Sequence, residues 1–337
     1  MKSSSSHRTH GLAALVFWLL LGIITLTVGG CGGNEVQSML RADGPAAREI
    51  QRLWWILFGL GSAVFLLVLV LLGAALFRPA SEDGPPLGES RYLLVFGILF
   101  PFAILFIVLV LSLRSTLGIR TPDADLTVEV VGNQFWWDVR YPADSIEVAN
   151  EIYIPAGRPV HLRLSSRDVI HSFWVPALHG KMDLIPGMVN HFWIEADSIG
   201  LFRGQCAEFC GDQHANMALW VHALDPDEFD RWRERRRRAE TLPETTPQDR
   251  GYTVFVENGC DTCHRIAGTP ADGAAGPALT DIGSRLTLGA GTIYNSRTNL
   301  ANFIINSQAI KPGNEMPDQR IGPDDLEALL DYLQSLR

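Results

Sequence analysis

Four of the five cysteines in this 337-residue chain sit in two short clusters that could hold redox cofactors. The first, Cys206-Ala-Glu208-Phe-Cys210-Gly-Asp-Gln-His214-Ala-Asn-Met217, packs two thiols, an imidazole and a thioether into twelve residues. These are soft or borderline donors, the set that suits copper. Taken alone they also allow a zinc site completed by one further histidine. A single blue-copper ion fits less well, because it uses one cysteine. The second cluster is Cys260-Asp-Thr-Cys263-His264. In a CxxCH run the two thiols attach a c-type heme and the following histidine ligates its iron. Zinc is disfavoured here, since a lone CxxC with one histidine leaves a four-coordinate ion incomplete. His264 is the only histidine after His222, and Met316 the only methionine after Met217. Met316 is therefore the expected second axial ligand, and His/Met ligation gives the potential of an electron carrier.

Such sites need scaffolds, and the chain supplies three kinds. Apolar residues concentrate near the N-terminus in runs at 11–28, 53–77 and 92–113. The last two are free of charge and match the roughly 20 residues of a bilayer-spanning helix. The first follows Lys2 and Arg8 and ends in Val28-Gly29-Gly30 before Cys31, as a secretory signal does. That ending resembles a bacterial lipobox, which would make Cys31 a lipidated N-terminus, so residues 1–31 are expected to be a signal peptide and 32–118 a two-helix hairpin. Export followed by two spans leaves everything after about residue 118 outside the cytoplasm, although the basic residues between the spans are too few to fix orientation.

From 126 to 224, short alternating runs such as Thr127-Val128-Glu129-Val130-Val131, broken by Pro and Gly, predict an antiparallel β-sandwich or barrel over 119–225. Residues 226–250 carry six arginines between Arg231 and Arg238 and read as a charged linker, a solvated helical face running into a flexible tether. A second globular unit fills 251–337. Its closing helix is signalled by Pro323 and Asp324, with Leu326, Leu329, Leu330 and Leu333 on one face. Because every cysteine falls in a motif, no structural disulfide is expected. His161, His179, His191 and His222 are read as structural or exposed.

Residues 206–217 resemble the CxEFCGxxHxxM loop of the subunit II family of heme-copper cytochrome c oxidases. Residues 168–187, from Asp-Val-Ile-His171 through Lys181-Met-Asp183-Leu-Ile-Pro-Gly, resemble that family's other ligand segment. Residues 251–337, with Gly276-Pro277-Ala-Leu279, resemble a class I cytochrome c. The resemblance implies a multi-domain membrane protein with two transmembrane helices, a cupredoxin-like β-sandwich and an all-α cytochrome c domain. It implies that Cys206 and Cys210 bridge two coppers, that His171 and Met217 complete one, and that His214 and the Glu208 carbonyl complete the other. The Glu208 carboxylate would reach a magnesium ion shared with subunit I, and Phe135-Trp136-Trp137 would be an electron path beside the copper.

Expected partners are subunit I, further oxidase subunits, a cytochrome c donor and membrane lipid, with no nucleic acid. The expected location is the bacterial inner (plasma) membrane, with both cofactor domains on the periplasmic side. The role implied is electron input to a proton-pumping translocase. Oxygen chemistry would lie in another subunit, since neither span carries a histidine. A copper A-containing nitric oxide reductase would share these features. A copper-handling lipoprotein would use Cys206, Cys210 and Met217 but need neither heme nor spans.

The chain departs from the family in two places. Phe135 stands where a tryptophan leads the aromatic run, which favours relay through the fused heme. Leu94 stands where many members have an acid before the helix proline, leaving Glu89 as the nearest one. Residues 121–225 hold 14 acidic against 6 basic side chains and residues 251–337 hold 10 against 6. With both domains acidic, their encounter is attributed to tethering, and the acidic surface to steering a basic donor.

Overall fold

A computed structural model of the protein describes residues 36–77, 88–242 and 245–337. Residues 1–31, the expected signal peptide with Cys31, the loop between the apolar helices and the side chain of Glu89 lie outside the described residues.

Among the described residues, two helices are long and apolar enough to cross a membrane. The first, α1, spans Pro45–Phe77. The second begins with a turn at Glu89–Tyr92, passes through a π-helical stretch at Leu93–Leu99 and continues as α2, Phe100–Gly118. Pro101 has no N–H to give the preceding turn, and the wider π spacing absorbs that loss just before it. Leu94 lies in this stretch with its side chain exposed. Along both helices the large apolar side chains face outward, as a lipid or partner surface requires.

After α2 come ten strands: β1 Leu126–Asn133, β2 Trp136–Tyr141, β3 Ile146–Ala149, β4 Glu151–Pro155, β5 Val160–Ser166, β6 His171–Trp174, β7 Lys181–Leu184, β8 Asn190–Ile194, β9 Gly200–Cys206 and β10 Ala218–Leu224. They form two five-stranded sheets, ordered β3-β2-β1-β5-β8 and β4-β10-β9-β6-β7. Val128 and Val130 point inward while Thr127 and Glu129 do not, the two-residue period of a half-buried strand. Trp137, Tyr141, Leu162, Leu164, Phe173 and Ile194 fill the space between the sheets. The sandwich is not wholly antiparallel: β1 pairs with β5, and β10 with β4, in parallel. The chain changes sheet between β3 and β4, β4 and β5, β5 and β6, β7 and β8, and β8 and β9, so the parallel partners β1 and β5, and β4 and β10, are not joined by hairpins.

The expected linker is a helix for most of its length. α3 runs Pro226–Thr241, with Asp225 capping its N-terminus by accepting from Asp227 N–H at 3.0 Å. Phe229, Trp232 and Arg236 form a buried stripe at helical spacing. Trp232 stacks on Tyr153 with centroids 4.5 Å apart and meets Tyr141 edge-on at 5.2 Å. Tyr141 in turn donates to Tyr153 O and accepts from Tyr153 N–H. The arginines are distributed among partners: Arg233 pairs with Asp144 at 2.5 Å, Arg236 reaches Thr280 O at 3.5 Å, and Arg237 and Arg238 hold Glu234. The sequence shows the charges but hides the aromatic stripe among them.

The C-terminal domain is built from α4 (Arg250–Glu257), α5 (Arg297–Ile305) and α6 (Pro323–Ser335), with a two-residue ladder of Thr287–Leu288 and Ile293–Tyr294. Leu329, Leu330 and Leu333 of α6 are buried, and Leu326 packs at the edge of the same core. Tyr252 of α4 packs against Tyr332 of α6, and Gly251 is tight against that helix: a Cβ there would lie 2.2 Å from Ala328 O.

Truncating Trp232 should expose this part of the sandwich. Trp232→Ala is expected to cost about 3 kcal/mol, typical of a buried aromatic removed from a packed core. Denaturant unfolding of the purified protein followed by circular dichroism would measure it.

Candidate metal centres

The copper-type donors gather at one end of the sandwich. His171 opens β6, Cys206 closes β9, and Met217 immediately precedes β10, while Cys210 and His214 lie in the loop between β9 and β10. The ligand atoms of His171, Cys206 and Cys210 lie within 4.8 Å of one another, and all three residues are buried. The two sulfurs are 3.9 Å apart. Cys206 Sγ lies 3.9 Å from His171 Nδ1 and 3.2 Å from Glu208 O, while Cys210 Sγ lies 3.8 Å from both His214 Nδ1 and Met217 Sδ. All six sequence-predicted residues therefore converge, with the carbonyl of Glu208 turned in and its side chain exposed.

Backbone bonds set this loop: Cys206 N–H donates to Met217 O and Ala207 N–H to Ser172 O, both at 2.9 Å. Gly132 on β1 leaves room for the His171 ring; a Cβ there would stand 2.6 Å from its Cδ2. His171 is oriented by Asp168, whose Oδ1 lies 2.8 Å from Nε2, leaving Nδ1 facing sulfur. Asp168 is itself held by the N–H groups of Gln134 and Val169, each at 2.6 Å. Burial alone would raise the Asp168 pKa, but the bonds from His171, Val169 and Gln134 outweigh it and hold the carboxyl below its usual range. Burial would likewise lower His171, yet the Cys206 sulfur and Asp168 hold it above its ordinary value. The S···S contact is the main influence on both thiols, lowering Cys206 and raising Cys210, so that the pair favours one thiolate at a time. One thiolate is thus favoured before any cation arrives, as a soft metal ion requires.

The heme motif occupies the turn after α4. Cys260 and Cys263 are free thiols, as are Cys206 and Cys210, which together are the four described cysteines. His264 and Met316 line a cavity of about 310 Å³ together with Cys260, Cys263, Phe303 and Leu333. His264 Nδ1 lies 2.8 Å from Pro277 O, so it donates there and leaves Nε2 for the cavity. Burial first, and Arg285 second, keep the imidazole pKa below its usual value, the neutral form a metal ligand needs. Gly276 clears the ring: a Cβ there would come within 2.7 Å of His264 Cε1. The Met316 carbonyl accepts from Ser307 Oγ at 2.6 Å and Gln308 Nε2 at 2.8 Å, fixing the backbone of the methionine segment. The residues present therefore fit both a copper pair and a covalently attached heme.

The aromatic run lies between the two centres. Trp137 is fully buried, with its ring 6.1 Å from that of His171. Phe135 is buried, and both Phe135 and Trp136 form part of the wall of the heme cavity. Gln134 Nε2 donates to Cys210 O at 2.5 Å. Among the histidines read as structural, His222 lies 3.0 Å from Glu151, and His161 stacks on His191. His179 is buried against Phe192 and Trp193, and desolvation lowers its pKa to about 4. Sequence reasoning gave no role to Asp168, Gly132 or Lys311. Only Asp168 had a signal, its position three residues before a candidate ligand.

Residues 142–224 match the family profile described as cytochrome c oxidase subunit II, periplasmic domain, and residues 248–337 match that of cytochrome c. The chain is 37% identical over 333 residues to cytochrome c oxidase subunit 2 of Alkalihalophilus pseudofirmus, covering 95% of this chain and 96% of the relative. It is 27% identical to that of Bacillus subtilis, covering 95% and 97%. A solved periplasmic domain of cytochrome oxidase subunit II from Bradyrhizobium japonicum is 32% identical, with a TM-score of 0.34, and matches 35% of this chain and 98% of that one. The two profile matches imply copper A and heme c as cofactors. With a relative 37% identical along nearly the whole length and the two profiles on its two soluble domains, the chain belongs to the cytochrome c oxidase subunit II family and is an electron-input subunit of a heme-copper oxidase.

Proposed function

We propose that Cys206 and Cys210 bridge two copper ions, with His171 and Met217 completing one and His214 and the Glu208 carbonyl completing the other. The observation that carries this is the convergence of two thiols and an imidazole within 4.8 Å, with Glu208 O 3.2 Å from one sulfur. Cys260 and Cys263 attach the heme, and His264 and Met316 are its axial ligands. Bound copper and heme supply one-electron carriers. The chain holds the donors in place: Asp168 orients one imidazole, Pro277 O keeps the proton of His264 on Nδ1, and the run Phe135-Trp136-Trp137, of which Phe135 and Trp137 are buried, offers the electron path between the sites.

The Glu208 side chain is exposed, which suits a carboxylate reaching a magnesium ion shared with subunit I. The apolar hairpin supports anchoring in the bacterial plasma membrane, with the cofactor domains on the periplasmic side. Cys31 would add a lipid anchor. The external donor is a cytochrome c, steered by the acidic surface and received at the heme domain, because Phe135 is covered.

A visible to near-infrared spectrum of the purified oxidase tests the two centres together. Low-spin heme with the near-infrared band of a mixed-valence copper pair is expected, whereas heme without that band would leave zinc or a single ion. Cys206→Ser should abolish the copper band and leave the heme spectrum intact. Met316→His should lower the heme potential in a redox titration, since a methionine ligand raises it. Turnover with a basic cytochrome c should fall as salt rises, through loss of long-range steering; an unchanged rate from low to high ionic strength would count against the acidic docking surface.

A further inference from the structure

A lysine ammonium group lies buried between the sandwich and the cytochrome domain. Lys311 is 3% exposed. Its Nζ donates to Phe135 O at 2.8 Å, Asn216 O at 2.8 Å and Gly289 O at 2.6 Å. An ammonium has three N–H donors, so these three carbonyls satisfy it completely. Two of them belong to the sandwich and one to the cytochrome domain. The partners are neutral, and desolvation pushes the lysine pKa down to about 7. Burying a cation in this way is costly unless its hydrogen bonds are all made.

The three carbonyls are placed where the two sites approach each other. Phe135 follows Gln134, which donates to Cys210 O, and Asn216 precedes Met217. Gly289 lines the heme cavity, as does Lys311 itself. Further bonds cross the same boundary: Ala218 N–H to Ala290 O at 2.8 Å, Leu286 N–H to Glu151 Oε1 at 2.6 Å, and Arg167 Nη1 to Ala274 O at 3.2 Å. The backbones are close enough that a Cβ on Gly291 would lie 2.7 Å from that of Ala218.

We propose that Lys311 is a positioning residue that locks the heme-bearing domain on the copper-bearing domain in one pose, so that electrons cross this chain between stationary sites. The proposal rests on the electron-input reading. Electron tunnelling weakens steeply with distance, and a fixed pose removes the search that a tethered domain would make before each transfer.

The test uses assembled oxidase in which the heme is reduced by a flash and the copper absorption is followed. Wild type should show internal transfer that does not change when glycerol raises the viscosity. Lys311→Met should slow it by about tenfold or more, as loss of a buried hydrogen-bonded charge does at an interface. It should also make the rate depend on viscosity and speed hydrogen exchange at the Ala218 and Leu286 amides. A variant with wild-type rate, viscosity response and amide protection overturns the proposal. Should Lys311→Met not assemble, Arg167→Ala removes a separate bond across the same boundary, that to Ala274 O, without touching the ammonium, and the same readouts decide. Absence of the near-infrared copper band in wild type would overturn the electron-input reading instead, and amide exchange alone would then judge the lock.

Discussion

Two cysteine sulfurs held 3.9 Å apart in a buried site cannot both ionise unless a cation lies between them. Much of the sandwich end follows from that constraint. The loop after β9 must return both sulfurs to one point, which it does by closing Cys206 against Met217 and Ala207 against Ser172 through the backbone. The imidazole of His171 must face the sulfurs with its other nitrogen occupied, so Asp168 holds that nitrogen and Gly132 clears the space behind the ring. Each residue serves a site whose charge balance is incomplete without metal, the usual condition of a thiolate centre.

The heme domain obeys a different constraint. Its imidazole is kept neutral by burial and aimed by a backbone carbonyl, so no carboxylate is needed there. What links the domains is direct contact. A flexible tether would raise effective concentration to the order of millimolar, but α3 packs on the sandwich through Phe229 and Trp232, and Arg265 of the heme domain pairs with Glu240 at its far end. The segment that looked like a spacer is part of the joint.

The grouping of Cys206, Cys210, His214 and Met217, and of Cys260, Cys263 and His264, was legible in the sequence because spacing within a short motif is itself the constraint. Cys206 to Met217 and Cys260 to His264 each lie in one loop, so local order determines which donors can meet. The leucine face of α6 was legible for the same reason, helical spacing within a single element. The parallel pairing of β1 with β5 was not, because it depends on where the chain changes sheet. Nor was the burial of the α3 stripe, since six arginines dominate its composition while two aromatics decide its packing. Lys311 was illegible for a related reason. A lone lysine before a proline reads as surface, and only the juxtaposition of three carbonyls from distant segments turns it into a buried contact.

Charge explains why contacts of this kind join the domains. Both are acidic, 14 acidic to 6 basic side chains over residues 121–225 and 10 to 6 over residues 251–337, so they repel at long range. Screening confines that repulsion to about 8 Å at physiological salt, whereas a buried hydrogen bond is hardly screened. Lys311, Arg167 and Arg236 all reach across the boundary to backbone carbonyls, which carry no net charge. A cation bonded to neutral carbonyls adds attraction without using a surface carboxylate. Two carboxylates also take part in the joint, Glu151 accepting from Leu286 N–H and Glu240 pairing with Arg265, while exposed ones such as Asp183 and Glu208 lie outside it.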